Sequence, residues 1–264
     1  MNENFCIYSV IKNERPHLEE WIAYHKNAGF DNIILIEDIN SDSHADIAEK
    51  YGVTLFHIED IMPQEQYEHS YKQRYAIDWM TEKYGIEHGF DWAILIDIDE
   101  FLVFEISVPE FCERFKDCNA VHLFWRCYNA NGHYLMETGK TQQELYKCDS
   151  AVIISKPTLC CKFAVNLHNN NGKMMSIHYY KGGYDVEGKI FKPSTNDAIH
   201  HTAYIDHFIF RSYEDWVYKL NRRKNLNARK TDRTFWQFNP DMSKQIAIEQ
   251  YGLIAPIVTW EPKH

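Results

Sequence analysis

The first hundred residues alternate between short apolar runs and helix-periodic segments, and this alternation restricts the possible folds more than any other feature. Phe5 to Val10 is an apolar run that ends in Lys12-Asn13-Glu14. Pro16 opens a helix, where its missing N–H is no loss. Leu18, Trp21, Ile22 and His25 then share one face at helical spacing, and Gly29 is placed to stop the helix. Ile33 to Ile36 is a buried-type strand followed by Glu37-Asp38. Ser41 to Lys50 reads as a capped helix with Gly52 behind it, and Val53 to Ile58 as a third strand. Tyr67 to Tyr84 is a longer helix that Gly85 would end. Ala93 to Ile96 is a fourth strand, running into Asp97-Ile98-Asp99-Glu100-Phe101. Such alternation predicts βαβ units, hence an α/β fold with a mixed, mainly parallel central sheet flanked by helices.

The second half is less regular. Ala120 to Cys127, Ala151 to Ile154 and Ser176 to Tyr180 read as strands, and Asn129 to Gly139 as a polar loop. Ser212 to Asn227 reads as a helix with Ser212 as N-cap and acids in its first turn. No repeat, low-complexity tract or linker interrupts residues 1–264, so one domain is expected. The tail from Trp236 has no assignable pattern.

Composition excludes some classes of partner. A net charge of −10 argues against nucleic acid, which needs a broad basic face. It leaves small anions open, because a metal and a few local cations can hold one in an acidic protein. Seven cysteines, an odd number without a C-x-x-C pair, suggest free thiols, a reducing compartment and no zinc knuckle. No stretch approaches the roughly 20 apolar residues of a membrane span, so a cytoplasmic protein is expected. The basic run Lys219, Arg222, Arg223 and Lys224 is compatible with peripheral contact to an anionic membrane, or with a cation-enriched helix end.

In a parallel sheet, ligands sit outside the carboxyl ends of the strands. Lys12, Asn13, Glu14, Asp38, Asp97 and Asp99 all fall at such ends. Asp97-Ile98-Asp99 is the sharpest of these signals. An apolar strand delivers two carboxylates with one side chain between them turned the other way, which suits a hard divalent cation that bridges phosphates. The alternative is a loop that happens to be acidic.

The stretches Val10-Ile11-Lys12-Asn13-Glu14, Leu18 to His25 and Gly29-Phe30 resemble the opening of family 2-like and family 92 glycosyltransferases. Asp91-Trp92 through Ile96-Asp97-Ile98-Asp99-Glu100-Phe101 resembles their D-x-D segment. His207-Phe208 with Arg211-Ser212, Glu214 and Lys219 resembles their C-terminal segment. Residues 102 to 175 match only in pieces, Gly132-His133 and Lys156-Pro157 being the better ones. The resemblance implies a GT-A (Rossmann-like) fold, with residues 1–105 binding a nucleotide sugar and 106–264 carrying the acceptor half and a helical segment. It implies Mn²⁺ or Mg²⁺ held by Asp99 and His207 with help from Asp97. Lys12, Asn13, Glu14, Asp38, Asp97 and Lys219 would hold the donor, with Arg74 a weaker candidate whose plainer role is a solvated helix face. The plainer role of His207 is that of a satisfied core histidine.

The implied reaction moves a hexose such as galactose or glucose from a UDP-sugar to a glycan or lipid-linked glycan, with inversion. Uracil fits Asp38, because a carboxylate accepts the imide N–H, which cytosine lacks. Alternatively, Asp38 ends a turn or caps the helix near Ser41. The catalytic base lies among Asp149, Glu144 and Glu214. Two rivals remain. A sugar-nucleotide pyrophosphorylase would carry a glycine-rich loop after the first strand, where this chain has Lys12-Asn13-Glu14-Arg15-Pro16. A non-catalytic carbohydrate-binding protein would not need Asp97, Asp99 and His207 intact.

Overall fold

In a computed structural model, residues 4–39, 41–64, 69–149, 152–153, 161–193, 198–221 and 232–255 are described. Contacts divide the chain into two units, Met1–Trp125 with Ser155–Asp206, and Arg126–Ile154 with His207–His264.

The first unit begins with β1 (Phe5–Ile11), α1 (Arg15–Asn27), β2 (Asn32–Glu37), α2 (Ala45–Tyr51) and β3 (Thr54–His57). Next come α3 (His69–Trp79), a π-helical turn (Met80–Tyr84), α4 (Gly85–Glu87), β4 (Trp92–Leu95), β5 (Glu100–Phe104) and α5 (Val108–Arg114). Strands β6 (Ala120–Tyr128), β7 (Val152–Ile153), β8 (Cys161–Asn166), β9 (Lys173–Ser176), β10 (Tyr179–Lys181) and β11 (Ala203–His207) follow in the chain, with α6 (Gln142–Tyr146) between β6 and β7; α6 and β7 belong to the second unit.

The central sheet runs β3-β2-β1-β4-β8-β6-β11-β5. Strands β3, β2, β1 and β4 are mutually parallel, and β8 joins β4 and β6 antiparallel to each. The fold is therefore α/β, with a mixed sheet whose N-terminal part is wholly parallel, as the strand–helix alternation predicts. Strands β1, β2 and β4 are near-continuous apolar runs because both faces are covered. Cys6, Tyr8, Ile34, Ile36, Ala93 and Leu95 pack on one face with Ala76, Ile77 and Met80 of the α3 region. On the other, Phe5 meets Phe30, Trp92, Phe104 and Phe111. Strands β4 and β5 are consecutive in the chain, yet three strands separate them in the sheet, which must curl back to join them.

In the second unit, Cys127 and Tyr128 pair with β7. Helices α7 (Tyr213–Asn221), α8 (Asp232–Phe238) and α9 (Lys244–Tyr251) follow. Phe210, Tyr213, Trp216, Leu220, Phe235 and Ala247 form their core. Ser212 caps α7 as the sequence predicts. Its hydroxyl accepts the Asp215 N–H at 3.1 Å, and Asp215 accepts the Ser212 N–H in return.

Several expectations are corrected. The helix expected from Ser41 starts only at Ala45, because Ser41 to His44 are occupied by contacts to the loop after β1. Gly85 does not end a helix: it has helical backbone, and a Cβ there would lie 2.6 Å from Leu167 Cδ1 and from the Met80 carbonyl. The glycine serves close packing. The strand expected over Ser176 to Tyr180 is broken in the middle: Ser176 ends β9, Ile177 and His178 make the hairpin turn, and Tyr179 begins β10. Strands β5, β8 and β11 and the two tail helices carried no clear pattern. Lys156-Pro157 and the cations Arg222, Arg223 and Lys224 lie outside the described residues. Among the described residues no helix is long and apolar enough to cross a membrane.

Candidate active site

The loop after β1 is locked to the loop after β2. Asn13, in the left-handed region at φ 51°, donates its N–H to Ser41 Oγ at 3.0 Å and accepts the Asp42 N–H at 2.7 Å. Asparagine tolerates that backbone better than most residues. The Glu14 N–H donates to His44 Nε2 at 3.1 Å, and His44 Nδ1 pairs with Glu37 Oε1 at 2.6 Å. The backbone donor defines the tautomer: Nε2 accepts, so Nδ1 carries the proton toward Glu37.

Asp38, at the exit of β2, lies between two ammonium groups. Lys12 approaches one carboxylate oxygen at 3.4 Å and also donates to the Ile39 carbonyl at 3.1 Å. Lys72, from α3, pairs with the other oxygen. Asp38 and Lys72 are buried, while Lys12 is 35% exposed and faces the strand ends. Lys72 was not singled out from the sequence. Its position on a helix packed over the sheet was the one signal it offered.

The acid segment after β4 is a turn rather than a continuing strand. The Glu100 N–H donates to the Asp97 carbonyl at 2.9 Å, and the Asp97 N–H donates to Glu100 Oε2 at 2.9 Å. Trp21, from α1, donates its indole N–H to the Glu100 carbonyl at 2.8 Å, so the turn is fixed on its far side too. Ile98 is buried, which leaves Asp97 part-exposed at 38% and Asp99 nearly buried at 8%. The two oxygens of Asp97 accept from Gln73 Nε2 at 2.7 Å and from Lys162 Nζ at 3.3 Å. Lys162 is fully buried, and its ammonium also lies 3.6 Å from Glu100 Oε2. Burial opposes that charge, but Asp97, Glu100 and Asp99 more than offset it and hold the ammonium above its ordinary value. Burial likewise pushes the Glu100 carboxyl well above the usual range, with Lys162 pulling it back and Asp97 and Asp99 adding to the rise. Glu100, Lys162 and Gln73 were also missed as site residues, since β8 carries no motif around Lys162.

The structure thus gathers Lys12, Asp38, Asp97 and Asp99 at the carboxyl ends of the parallel strands β1, β2 and β4. Arg74 instead stands half exposed on α3, with Asp78 of the same helix 3.7 Å away.

In the second unit, His207 is buried, with Nδ1 3.9 Å from Cys127 Sγ. Lys219 donates to the Ile209 carbonyl at 3.3 Å. Glu214 accepts the Met136 N–H at 2.8 Å. Glu144 accepts both the N–H and the hydroxyl of Thr141 in a capping box. The backbone N–H of Thr141, then its hydroxyl, hold the Glu144 carboxyl below its usual range. Asp149 is exposed.

No protein-family profile and no curated protein match this chain. Solved structures do match. Glucosyl-3-phosphoglycerate synthase from Mycobacterium tuberculosis, in complex with Mn²⁺, UDP-glucose and phosphoglyceric acid, has 14% identity and a TM-score of 0.38, over 63% of this chain and 57% of that one. HddC from Yersinia pseudotuberculosis has 12% identity and a TM-score of 0.38, over 81% of this chain and 96% of that one. The match therefore spans little more than half of the synthase. Likenesses of this size carry no argument about function. What the fold and the site define is an α/β protein with an acid turn and a lysine-bracketed carboxylate at one end of its parallel strands.

Proposed function

We propose that this chain is a metal-dependent glycosyltransferase of the GT-A kind. It would move a hexose, such as galactose or glucose, from a UDP-sugar to a saccharide or lipid-linked saccharide, with inversion. One observation carries the reading: a part-exposed and a nearly buried carboxylate, Asp97 and Asp99, share a turn at the exit of β4, beside the strand end where Lys12 and Lys72 bracket Asp38.

The donor set fits Mn²⁺ or Mg²⁺ in one particular way. Among the described residues, no group of three or more His, Cys, Asp or Glu side chains is arranged to hold an ion by itself. Two carboxylates suit a hard cation that keeps several waters and takes the rest of its oxygens from phosphate. Asp99 and Asp97 would hold it; His207, a candidate on its motif alone, joins no such group with them among the described residues. When bound, the ion supplies electrostatic stabilisation of the departing diphosphate.

The chain's own residues bind and orient. Asp38 would accept the imide N–H of uracil, with Lys12 and Lys72 holding it in place. Lys12 would add positive charge near the nucleotide, and Asn13 and Glu14 would line its pocket through a loop already fixed by Ser41 and His44. In the transfer, the acceptor oxygen bonds to the anomeric carbon and the bond from that carbon to the diphosphate breaks. The electron pair leaves on the diphosphate, and the hydroxyl proton goes to a carboxylate base. We propose Asp149 as that base, because Glu144 and Glu214 already hold backbone N–H groups. Lys219 would add positive charge for the donor, and the cations after it would favour an anionic acceptor or membrane surface, in the cytoplasm.

Thermal unfolding tests the reading. A ligand at 100 times its Kd stabilises the native state by about 2.7 kcal/mol, so UDP with Mn²⁺ should raise the Tm by roughly 5 °C or more. UDP with EDTA should not. No rise with UDP and Mn²⁺, or an equal rise with GDP and Mn²⁺, would defeat the UDP-sugar reading. A panel of nucleotide sugars screened for metal-dependent hydrolysis then identifies the sugar.

A further inference from the structure

We infer that Lys162 is a positioning residue that prevents the acid turn from taking up a divalent cation by itself, so that the cation enters only together with the donor's diphosphate. The inference rests on the reading proposed above.

The argument starts from register. Strand β8 lies antiparallel to β4, with Ala164 opposite Ile94 and Val165 opposite Ala93. Continuing that register carries Lys162 to the mouth of the turn, where its ammonium lies 3.3 Å from Asp97 and 3.6 Å from Glu100. On the other side, Leu123 of β6 pairs with Lys162, so the lysine backbone is held between two strands. Its side chain has no exposed surface. The charge can therefore neither swing away nor be shielded by water. Gln73 takes the remaining oxygen of Asp97. Both Asp97 oxygens are thus oriented by protein donors before any ligand arrives.

A cation approaching Asp97 and Asp99 meets this fixed positive charge a few ångströms behind the carboxylates. At such distances a unit charge acts strongly on a divalent ion, because little water lies between them to screen it. Two carboxylates with an ammonium behind them make a weak site for a metal alone. A diphosphate changes the balance by adding negative charge and oxygen ligands on the open side of Asp97. A purely structural lysine makes the opposite prediction: losing it could only loosen the turn and weaken every ligand.

The test uses Mn²⁺ alone, and then Mn²⁺ with saturating UDP, titrated calorimetrically into three proteins. These are the wild type, Lys162→Met, and the double variant Lys162→Met/Glu100→Gln. The double variant removes both members of the buried pair, so that no buried charge is left uncompensated. Circular dichroism checks each fold. In the wild type, UDP should strengthen Mn²⁺ binding about tenfold or more, and in Lys162→Met Mn²⁺ alone should bind about tenfold more tightly than in wild type, the size expected from removing one nearby unit charge; in the double variant, which loses a charge of each sign, most of that gain should vanish. The advantage conferred by UDP should shrink accordingly. Unchanged or weaker binding of Mn²⁺ alone in folded Lys162→Met, or a gain in the double variant as large as in the single one, overturns the inference and leaves the glycosyltransferase reading standing. Equal wild-type affinity for Mn²⁺ with and without UDP overturns it regardless of how the variants fold. A wild type that binds no Mn²⁺ even with UDP removes both.

Discussion

Lys72 and Gln73 are neighbours on α3, yet the Lys72 side chain closes on Asp38 at the exit of β2 and the Gln73 side chain on Asp97 at the exit of β4. One helix turn thus holds a carboxylate from each of two strands that are not adjacent, since β1 lies between them. A disturbance at either acid can reach the other through this turn.

Breaking the Asp38 pair should be costly. Lys72→Met leaves a buried carboxylate short of one partner, and losing one side of such a pair costs about 3–5 kcal/mol. The midpoint of urea unfolding should fall accordingly. Asp38→Ala should weaken UDP binding roughly tenfold if the carboxylate reads uracil, a polar contact of about 1–3 kcal/mol. Calorimetry with UDP, GDP and CDP in the presence of Mn²⁺ checks this, and unchanged UDP affinity removes the role of Asp38.

Asp99→Asn should keep the fold and abolish most turnover, together with the Tm rise produced by UDP and Mn²⁺. Wild-type turnover by the folded variant in EDTA would remove the metal from the mechanism.

Asp149 and Glu144 should separate cleanly as candidates for proton transfer. Asp149→Asn should lower kcat by about 100-fold or more, a typical contribution of a general base. Glu144→Gln should leave kcat within a few-fold of wild type and cost about 1 kcal/mol of stability through its cap. The reverse ranking in steady-state kinetics would move the base to Glu144.

Stability should fall with acid through His25 and His122. Burial, set against a backbone hydrogen bond, lowers each from 6.5 to about 3. Each ring accepts a backbone N–H on Nε2, from Leu102 at 3.2 Å and from Tyr180 at 3.1 Å. Each presents Nδ1 to a carbonyl, of Trp21 and of Tyr184. The unfolded chain binds protons first, so the stabilisation is complete above pH 6.5 and is lost as the pH falls toward 3. Each histidine contributes a slope of about 1.4 kcal/mol per pH unit within that window. Urea titrations at pH 7, 6 and 5 measure it, and an unchanged midpoint over that range contradicts it.

Gly85→Ala should destabilise by about 1–3 kcal/mol through overpacking, although alanine is the better helix former. One of its two close neighbours is the Met80 backbone, which cannot rotate aside. A neutral or stabilising effect in urea would mean that the α3–α4 segment shifts freely.

The N-terminal fold was legible because β1, β2 and β4 are buried on both faces and so read as plain apolar runs between helix signals. Asp38 and Asp97 were legible as polar ends of those runs. Their partners were not. Lys162 sits in Cys161–Asn166, where every residue is buried although lysine and asparagine interrupt the apolar pattern. A buried lysine is intelligible only once its carboxylates are known, and the nearer of them, Asp97 at 3.3 Å, lies 65 residues earlier in the chain. Strand β11 ends in Asp206 and His207, again polar residues in a buried strand. Gly85 misled for a related reason: its signal was steric crowding by Leu167, which is invisible locally.

The curl that brings β5 back to the far edge of the sheet also sets an order of assembly. Once β5 has been synthesised, β4 still lacks its second neighbour, and Asp97, Asp99 and Glu100 still lack their ammonium. At ~5–20 residues per second, translation needs roughly 3–12 s more to reach β8. Throughout that interval the nascent chain carries an open strand edge beside an unneutralised acid turn. The arrival of β8 pairs the edge and neutralises the turn in one event, so the ribosome-bound chain should pass abruptly from protease-sensitive to protease-resistant as residues 161–166 emerge.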